Sequence, residues 1–220
     1  SASTLIQNVR VFDGNNILAA RHVLIDQGKI VDANFKGSLN PQMRVIDATG
    51  KTLLPGLIDA HVHAFQDQDL PLLFGVTTQI DMFTNVPAMQ EIQKRMAQGK
   101  NTQAADLSAA GTLATAPKGH GTQYGMEIET LTSAEQAQPW VDRRLVEGSQ
   151  FIKIVMENGD KDFRVHALDL KIVKALIQAA HSRKKLAVVH IGNFEDARAA
   201  LAAGADGLVH IQMQNGATLK

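Results

Sequence analysis

Residues 53–65 read LLPGLIDAHVHAF, and this stretch decides how the rest of the chain is read. An apolar run from Leu53 to Ile58 stops at Asp59, and His61 and His63 follow, one residue apart. Side chains of an extended strand alternate faces, so residues i and i+2 point the same way. His61 and His63 are therefore expected side by side at the end of a buried strand. Two neutral imidazoles on one face make a clip for zinc or a similar first-row ion. An H-x-H pair taken alone fits two ordinary histidines where a strand runs out equally well, so the decision falls to the remaining residues.

The 220 residues suffice for a substantial core, and 45% hydrophobic and 20% charged residues are the composition of a soluble globular protein. The formal net charge is zero, which gives no footprint for nucleic acid or an anionic membrane surface. There is no cysteine, so disulfides and thiolate metal sites are excluded and any metal must be held by histidine, carboxylate or a less usual group. No apolar stretch is long enough to span a bilayer. The Ser-Ala-Ser start fits a processed end as well as an expression scar, which leaves cytoplasm, periplasm and secretion open.

Residues 4–50 hold short β-branched stretches broken by Asp-Gly, Gln-Gly and Thr-Gly turns, and predict a small antiparallel or sandwich element over 1–52. From residue 53 to 220 short apolar strands alternate with amphipathic helices. Strands are expected at LLPGLI, at VTTQID (76–81), at LSAAGTLA (107–114), at FIKIVM (151–156), at LAVVHI (186–191) and at DGLVHI (206–211). Helices are expected over about 86–98, 132–147, 168–183 and 194–203. Alternation of this kind predicts an α/β fold with a mostly parallel sheet and right-handed crossovers. The count of about six βα units fits an open doubly wound sheet and a (β/α) barrel alike.

His61, His63, His190 and His210 all fall at or just past the C-terminal end of an apolar strand. Parallel α/β folds place their active sites at that edge. His190 closes LAVVH and His210 closes GLVH one βα unit later, so neighbouring strands would bring both within reach of one ion. Lys153 lies inside FIKIV, apolar on both sides. A buried lysine either finds a partner or gives up its proton. A neutral amine there could take up CO2 as a carbamate, a bidentate anion able to bridge two metals.

His-x-His on a first strand, a lysine on a middle strand and single histidines on the next two strands resemble the amidohydrolase superfamily of metal-dependent hydrolases. GKTLLPGLIDAHVH carries the likeness most specifically, and it extends from about Gly50 to the end. The nearest subgroups are those around imidazolonepropionase and the Xaa-Pro dipeptidase-like and N-acyl-amino-acid-hydrolysing enzymes. The resemblance implies a TIM-type (β/α)8 barrel preceded by a β-sandwich segment. It implies two divalent ions, zinc foremost with manganese, cobalt or iron as alternatives. His61 and His63 would hold the more buried ion, a CO2-derived carbamate on Lys153 would bridge, and His190 and His210 would hold the second. The reaction implied is hydrolysis of an amide bond in a dipeptide, an N-acyl amino acid or a cyclic amide.

The loop GHGTQYG at 119–125 matches no dinucleotide or phosphate-loop spacing. By the same resemblance His120 is a substrate or oxyanion contact and Tyr124 a weaker one, while Arg164 is a candidate partner for a substrate carboxylate. His22, His166 and His181 are expected to be structural or solvated. The superfamily pattern also asks for an eighth-strand aspartate, and this sequence ends just after its sixth strand. The expectation is therefore a barrel short of its last units, completed by further chain or by a second copy, or else a non-catalytic binding or assembly relative. Deamination and lactone hydrolysis are alternative chemistries of the same superfamily, and Lys153 tilts the reading away from the first.

Overall fold

The computed structural model describes residues 2–159 and 164–210. The chain divides after Gly56 into two compact units, where the sequence reading put the boundary at 52.

The first unit is one mixed sheet. Strands β1 (Thr4–Phe12), β2 (Ile17–Asp26), β3 (Lys29–Asp32), β4 (Arg44–Asp47) and β5 (Thr52–Leu53) make five strands in the order β3-β2-β1-β4, with β5 also on β1. The expected antiparallel pairing holds for β1–β2 and β2–β3, but β4 and β5 join β1 in parallel. The described strands lie in one sheet: Val9, Val23 and Ala48 form its small core, and β3 and β4 are exposed along their whole length.

The second unit alternates strands and helices. Its elements are β6 (Leu57–Val62), α1 (Leu70–Leu73), β7 (Val76–Asp81), α2 (Val86–Ala97), β8 (Asp106–Ala109), α3 (Ala137–Glu147), β9 (Ile152–Met156), α4 (Leu170–Ser182), β10 (Ala187–Ile191), α5 (Phe194–Ala202) and β11 (Gly207–Val209). All strand pairs are parallel: β6-β7-β8 form one ladder and β9-β10-β11 another. Ala114 joins them, pairing with Ile154 and donating its N–H to the carbonyl of Lys153 at 2.8 Å. The strand expected over 107–114 is thus interrupted. Gly111 takes φ +65°, and a side chain there would press on Met89 and Ser149 at 3.2 Å. Ile211 and the IQMQNGATLK stretch that it begins lie outside the described residues.

Period-two alternation sorts the strand residues into two faces. Ile152, Ile154 and Met156 of β9 and Ala187, Val189 and Ile191 of β10 pack with Trp140, Val173, Leu176 and Ile177 of the helices. The opposite face carries Lys153 and Val155 on β9 and Val188 and His190 on β10. On that face Met82, Ala110 and Phe151 share one cluster with Ile80 of β7, Val188 of β10 and Val209 of β11. The strands therefore curve around an inner face, and histidines of the first and last strands meet there, as described below.

The first strand departs from expectation. Pro55-Gly56 splits the LLPGLI run, Leu53 pairing with β1 and Leu57 with β7. His61 sits within β6 and His63 one residue past it. Nor is β6 buried: Leu57 is 61% and Ile58 65% exposed, because among the described residues β6 has a ladder partner on one side alone. No helix among the described residues is long and apolar enough to cross a membrane.

Trp140 anchors the helical layer. It is fully buried, donates Nε1–H to the carbonyl of Glu129 at 3.3 Å, and lies under the guanidinium of Arg144, 4.7 Å from the ring centroid. Trp140→Ala is expected to cost about 3–5 kcal/mol in urea-induced unfolding, the range of large-to-small core changes. A cost below about 1 kcal/mol would show that the helices do not pack through this ring.

Candidate metal centre

Five imidazoles run in contact along the C-terminal edge of the second unit. Ring centroids are 5.5 Å apart for His63–His61, 4.8 Å for His61–His210, 4.1 Å for His210–His190 and 4.6 Å for His190–His120. The sheet assembles them from β6, β10, the residue after β11 and the turn at 119–125. His190 lies opposite Val209 in the β10–β11 register, so His210 extends one step beyond it. His210 takes φ +74°, a left-handed conformation unusual for a side chain of this size and of the strained kind found at ligand clamps.

Local contacts orient the rings. His63 donates Nδ1–H to the carbonyl of Phe83 at 3.0 Å, which fixes that tautomer and turns the Nε2 lone pair outward. His190 Nε2 lies 2.7 Å from Glu157 Oε2, and His120 Nδ1 lies 3.4 Å from the same oxygen. His120, Glu157 and His190 form the tightest donor group among the described residues, with ligand atoms within 4.8 Å of one another. The turn that carries His120 is packed rather than loose: a side chain on Gly119 would collide with Thr115 Oγ1 and meet two backbone carbonyls at 2.7 and 2.8 Å.

Lys153 is 1% exposed, and burial lowers its amine to about 8 against the opposing pull of Asp81. Asp81, at the end of β7, is fully buried, and burial raises its carboxyl to about 7 despite hydrogen bonds from the backbone of Ala64 and Phe83 and the charge of Lys153. Desolvation thus outweighs the attraction between the two. Asp81 Oδ1 accepts from the N–H of Ala64 at 2.8 Å, while Oδ2 is buried with no hydrogen-bond partner among the described residues. Burial, followed by the field of Lys153 and neighbouring rings, lowers His61 to about 4. Burial, His210 and Lys153 lower His190 to about 2, and burial holds His120 and His210 below the ordinary range as well. Neutral imidazoles are what a cation requires of its ligands.

The structure brings together His61, His63, His190, His210 and His120 and faces Lys153 onto the same side of the sheet. Tyr124 stands against His120 with centroids 6.1 Å apart. Arg164 is exposed and bridges to Gly159, apart from the histidine chain in every contact among the described residues. Three histidines serve structure. His22 Nδ1 accepts from the N–H of Asn8 at 3.2 Å, His166 Nδ1–H donates to the carbonyl of Pro117 at 3.1 Å, and His181 pairs with Asp206 at 2.8 Å. Sequence reasoning missed Asp81 and Glu157. Each is an acid closing an apolar strand, in VTTQID and FIKIVME, at the edge where the histidines also fall.

No protein-family model matches the chain. An N-substituted formamide deformylase of Arthrobacter pascens is 40% identical over 60 residues, which are 26% of this chain and 11% of that protein. A dihydroorotase of Thermoanaerobacter sp. (strain X514) is 44% identical over 64 residues, 28% of this chain and 14% of the other. A Xaa-Pro dipeptidase solved with methionine in its active site superposes with a TM-score of 0.74 at 21% identity, over 94% of this chain and 61% of that one. The dipeptidase likeness establishes the fold, and the chain spans about three fifths of that relative's length. The sequence matches and the structural likeness agree with the amidohydrolase resemblance read from the sequence.

The depressed ring of His61 makes stability pH-dependent. Its folded-state value lies below the ordinary 6.5, so on acidification the unfolded chain takes up the proton first. The contribution of the neutral ring is whole above about pH 6.5 and is lost toward about pH 4. Asp81 acts oppositely, its raised carboxyl adding stability as pH falls below about 7. Metal-free protein is expected to lose thermal stability between about pH 6.5 and 4, and His61→Gln to lose less over that interval, by scanning calorimetry. An equal or steeper loss in the variant would show that His61 is not held neutral.

Proposed function

We propose that this chain carries the metal centre of an amidohydrolase that cleaves an amide bond in a dipeptide, an N-acyl amino acid or a cyclic amide, on a (β/α) barrel whose first six strands are β6 to β11. The observation that carries the proposal is the contiguous row of imidazoles, those of His61, His190 and His210 held neutral by burial, beside a buried lysine of lowered pKa, all at one edge of a parallel sheet. The donor set fits a pair of divalent ions. It is rich in nitrogen, free of thiols and uncharged on its rings, which suits zinc and admits manganese, cobalt or iron. The orphaned Oδ2 of Asp81 leaves a buried anion-forming atom on the end of the neighbouring strand β7.

In this reading His61 and His63 would hold one ion and His190 and His210 the other, and Lys153, as a carbamate, would supply an anionic ligand between them. Bound ions of this kind lower the pKa of water and polarise a carbonyl. The remaining work belongs to the chain. Only the neutral amine of Lys153 can add CO2, and its lowered value raises the share of that form near neutral pH. Phe83 fixes the tautomer of His63, and Asp81 pins the backbone of Ala64 directly after it. Gln123 Nε2 and Glu157 Oε2 each lie 3.4 Å from His120 Nδ1, which leaves the ring's Nε2 to face the substrate carbonyl. Glu157 Oε2, beside His190 and His120, is placed to hold a proton on its way to the leaving nitrogen.

Metal analysis of the purified chain in CO2-containing buffer tests the reading. Two divalent ions per chain are expected, falling in Lys153→Ala and partly restored by added formate or acetate. An unchanged metal count in Lys153→Ala would remove the bridging role. His190→Ala is expected to leave one ion, and retention of both would refute that ligand.

A further inference from the structure

Next to His63 lies a cavity of about 250 Å³ lined by His63, Phe65, Phe83 and Tyr124. Phe83 is its buried floor, while Phe65 and Tyr124 stand 42% and 57% exposed. The rings meet at different angles. Phe65 and Phe83 are 6.0 Å apart at 86°, Phe83 and Tyr124 6.4 Å apart at 47°, and His63 stacks with Phe65 at 6.3 Å and 20°. Both faces and edges are therefore presented inward, the arrangement in which one more aromatic ring gains most. Among the described residues no acid, lysine or arginine lines the cavity, so three of its four walls are aromatic rings without a formal charge. Its volume exceeds the roughly 150 Å³ that admits a benzene ring.

The placement of the walls argues against a mere gap in the core. Phe65 follows β6 and Tyr124 ends the short turn Thr122–Tyr124 that also carries the His120 loop. Two half-exposed aromatic residues from separate loops thus converge on a third ring at the edge where the histidines lie. His63 is at once a wall of the cavity and a member of the imidazole row. A group seated there leaves the rest of the same molecule at that row.

We infer that this cavity seats a planar aromatic side group of the substrate, next to the amide to be cleaved. This inference rests on the function proposed above for its account of the scissile bond. It extends that reading by assigning the substrate class: amides bearing a phenyl-like or indole-like group, in preference to small aliphatic ones.

Binding, not turnover, provides the test. The full chain is titrated with N-acetyl-para-fluorophenylalanine amide, followed by fluorine NMR, with N-acetylalanine amide and tetramethylammonium as competitors. The aromatic probe is expected to bind about tenfold or more tighter than the alanine analogue, as burial of one phenyl ring implies. Phe65→Ala and Tyr124→Ala are each expected to weaken it about three- to tenfold, with metal content unchanged. Equal affinity for both amides, wild-type affinity in both variants, or tighter binding of tetramethylammonium, which would mark a cation cage, would overturn the inference. An aromatic preference in a chain that hydrolyses no amide would leave the cavity assignment standing and remove the proposed function. Amide hydrolysis indifferent to the side group would do the reverse.

Discussion

A primary amine in a dry parallel strand cannot remain both charged and unpartnered, and the second unit is organised around that constraint. All five residues of β9 are buried, and Lys153 is the polar one among them. Removing a cation from water costs several kcal/mol even after relaxation, and the attraction of Asp81 does not repay it. The lysine is tolerated because its strand neighbours pack the helical layer with Ile152, Ile154 and Met156 while its own side chain turns to the face where the histidines gather. Burial that would be a defect in an ordinary core holds, at this edge, an amine of lowered pKa beside the lowered imidazoles of His61, His190 and His210.

The parts legible in the sequence were those fixed by local periodicity. Strand–helix alternation and the positions of α2, α3, α4 and α5 follow from apolar spacing and capping residues such as Asn85 and Asn193, whose side chains accept from the first helical turn. The strand-end histidines were legible for the same reason, since alternation gives each a face and the strand end gives it an edge. What could not be read depends on partners distant in the chain. The exposure of Leu57 and Ile58 follows from which strands flank β6, and the kink at Gly111 from Met89 and Ser149. Asp81 and Glu157 looked like ordinary acids closing a strand until the fold set one against Ala64 and the other between two rings. The first unit shows the same division: its strands were evident, but parallel addition of β4 and β5 to β1 is a matter of pairing choice that β-propensity does not encode.

The parallel strand arrangement separates two kinds of residue at the sheet edge. The strand-end histidines are positioned by the sheet, whereas Tyr124, Arg164 and the His120 turn belong to connections between strands. Such folds change specificity by altering loops around a constant edge. A dihydroorotase and a formamide deformylase can therefore share a stretch of sequence with this chain while acting on different molecules.

Phe83 joins these two levels in an instructive way. Its ring lies on the floor of the aromatic cavity, yet its carbonyl orients His63. The orienting contact belongs to the main chain, so exchanging the side chain at 83 for another apolar group reshapes the cavity without deleting the acceptor that sets the tautomer. Mutational drift can thus explore new cavity shapes at this position while His63 keeps its hydrogen bond to the backbone. Recognition and chemistry are in this sense inherited separately from a single residue.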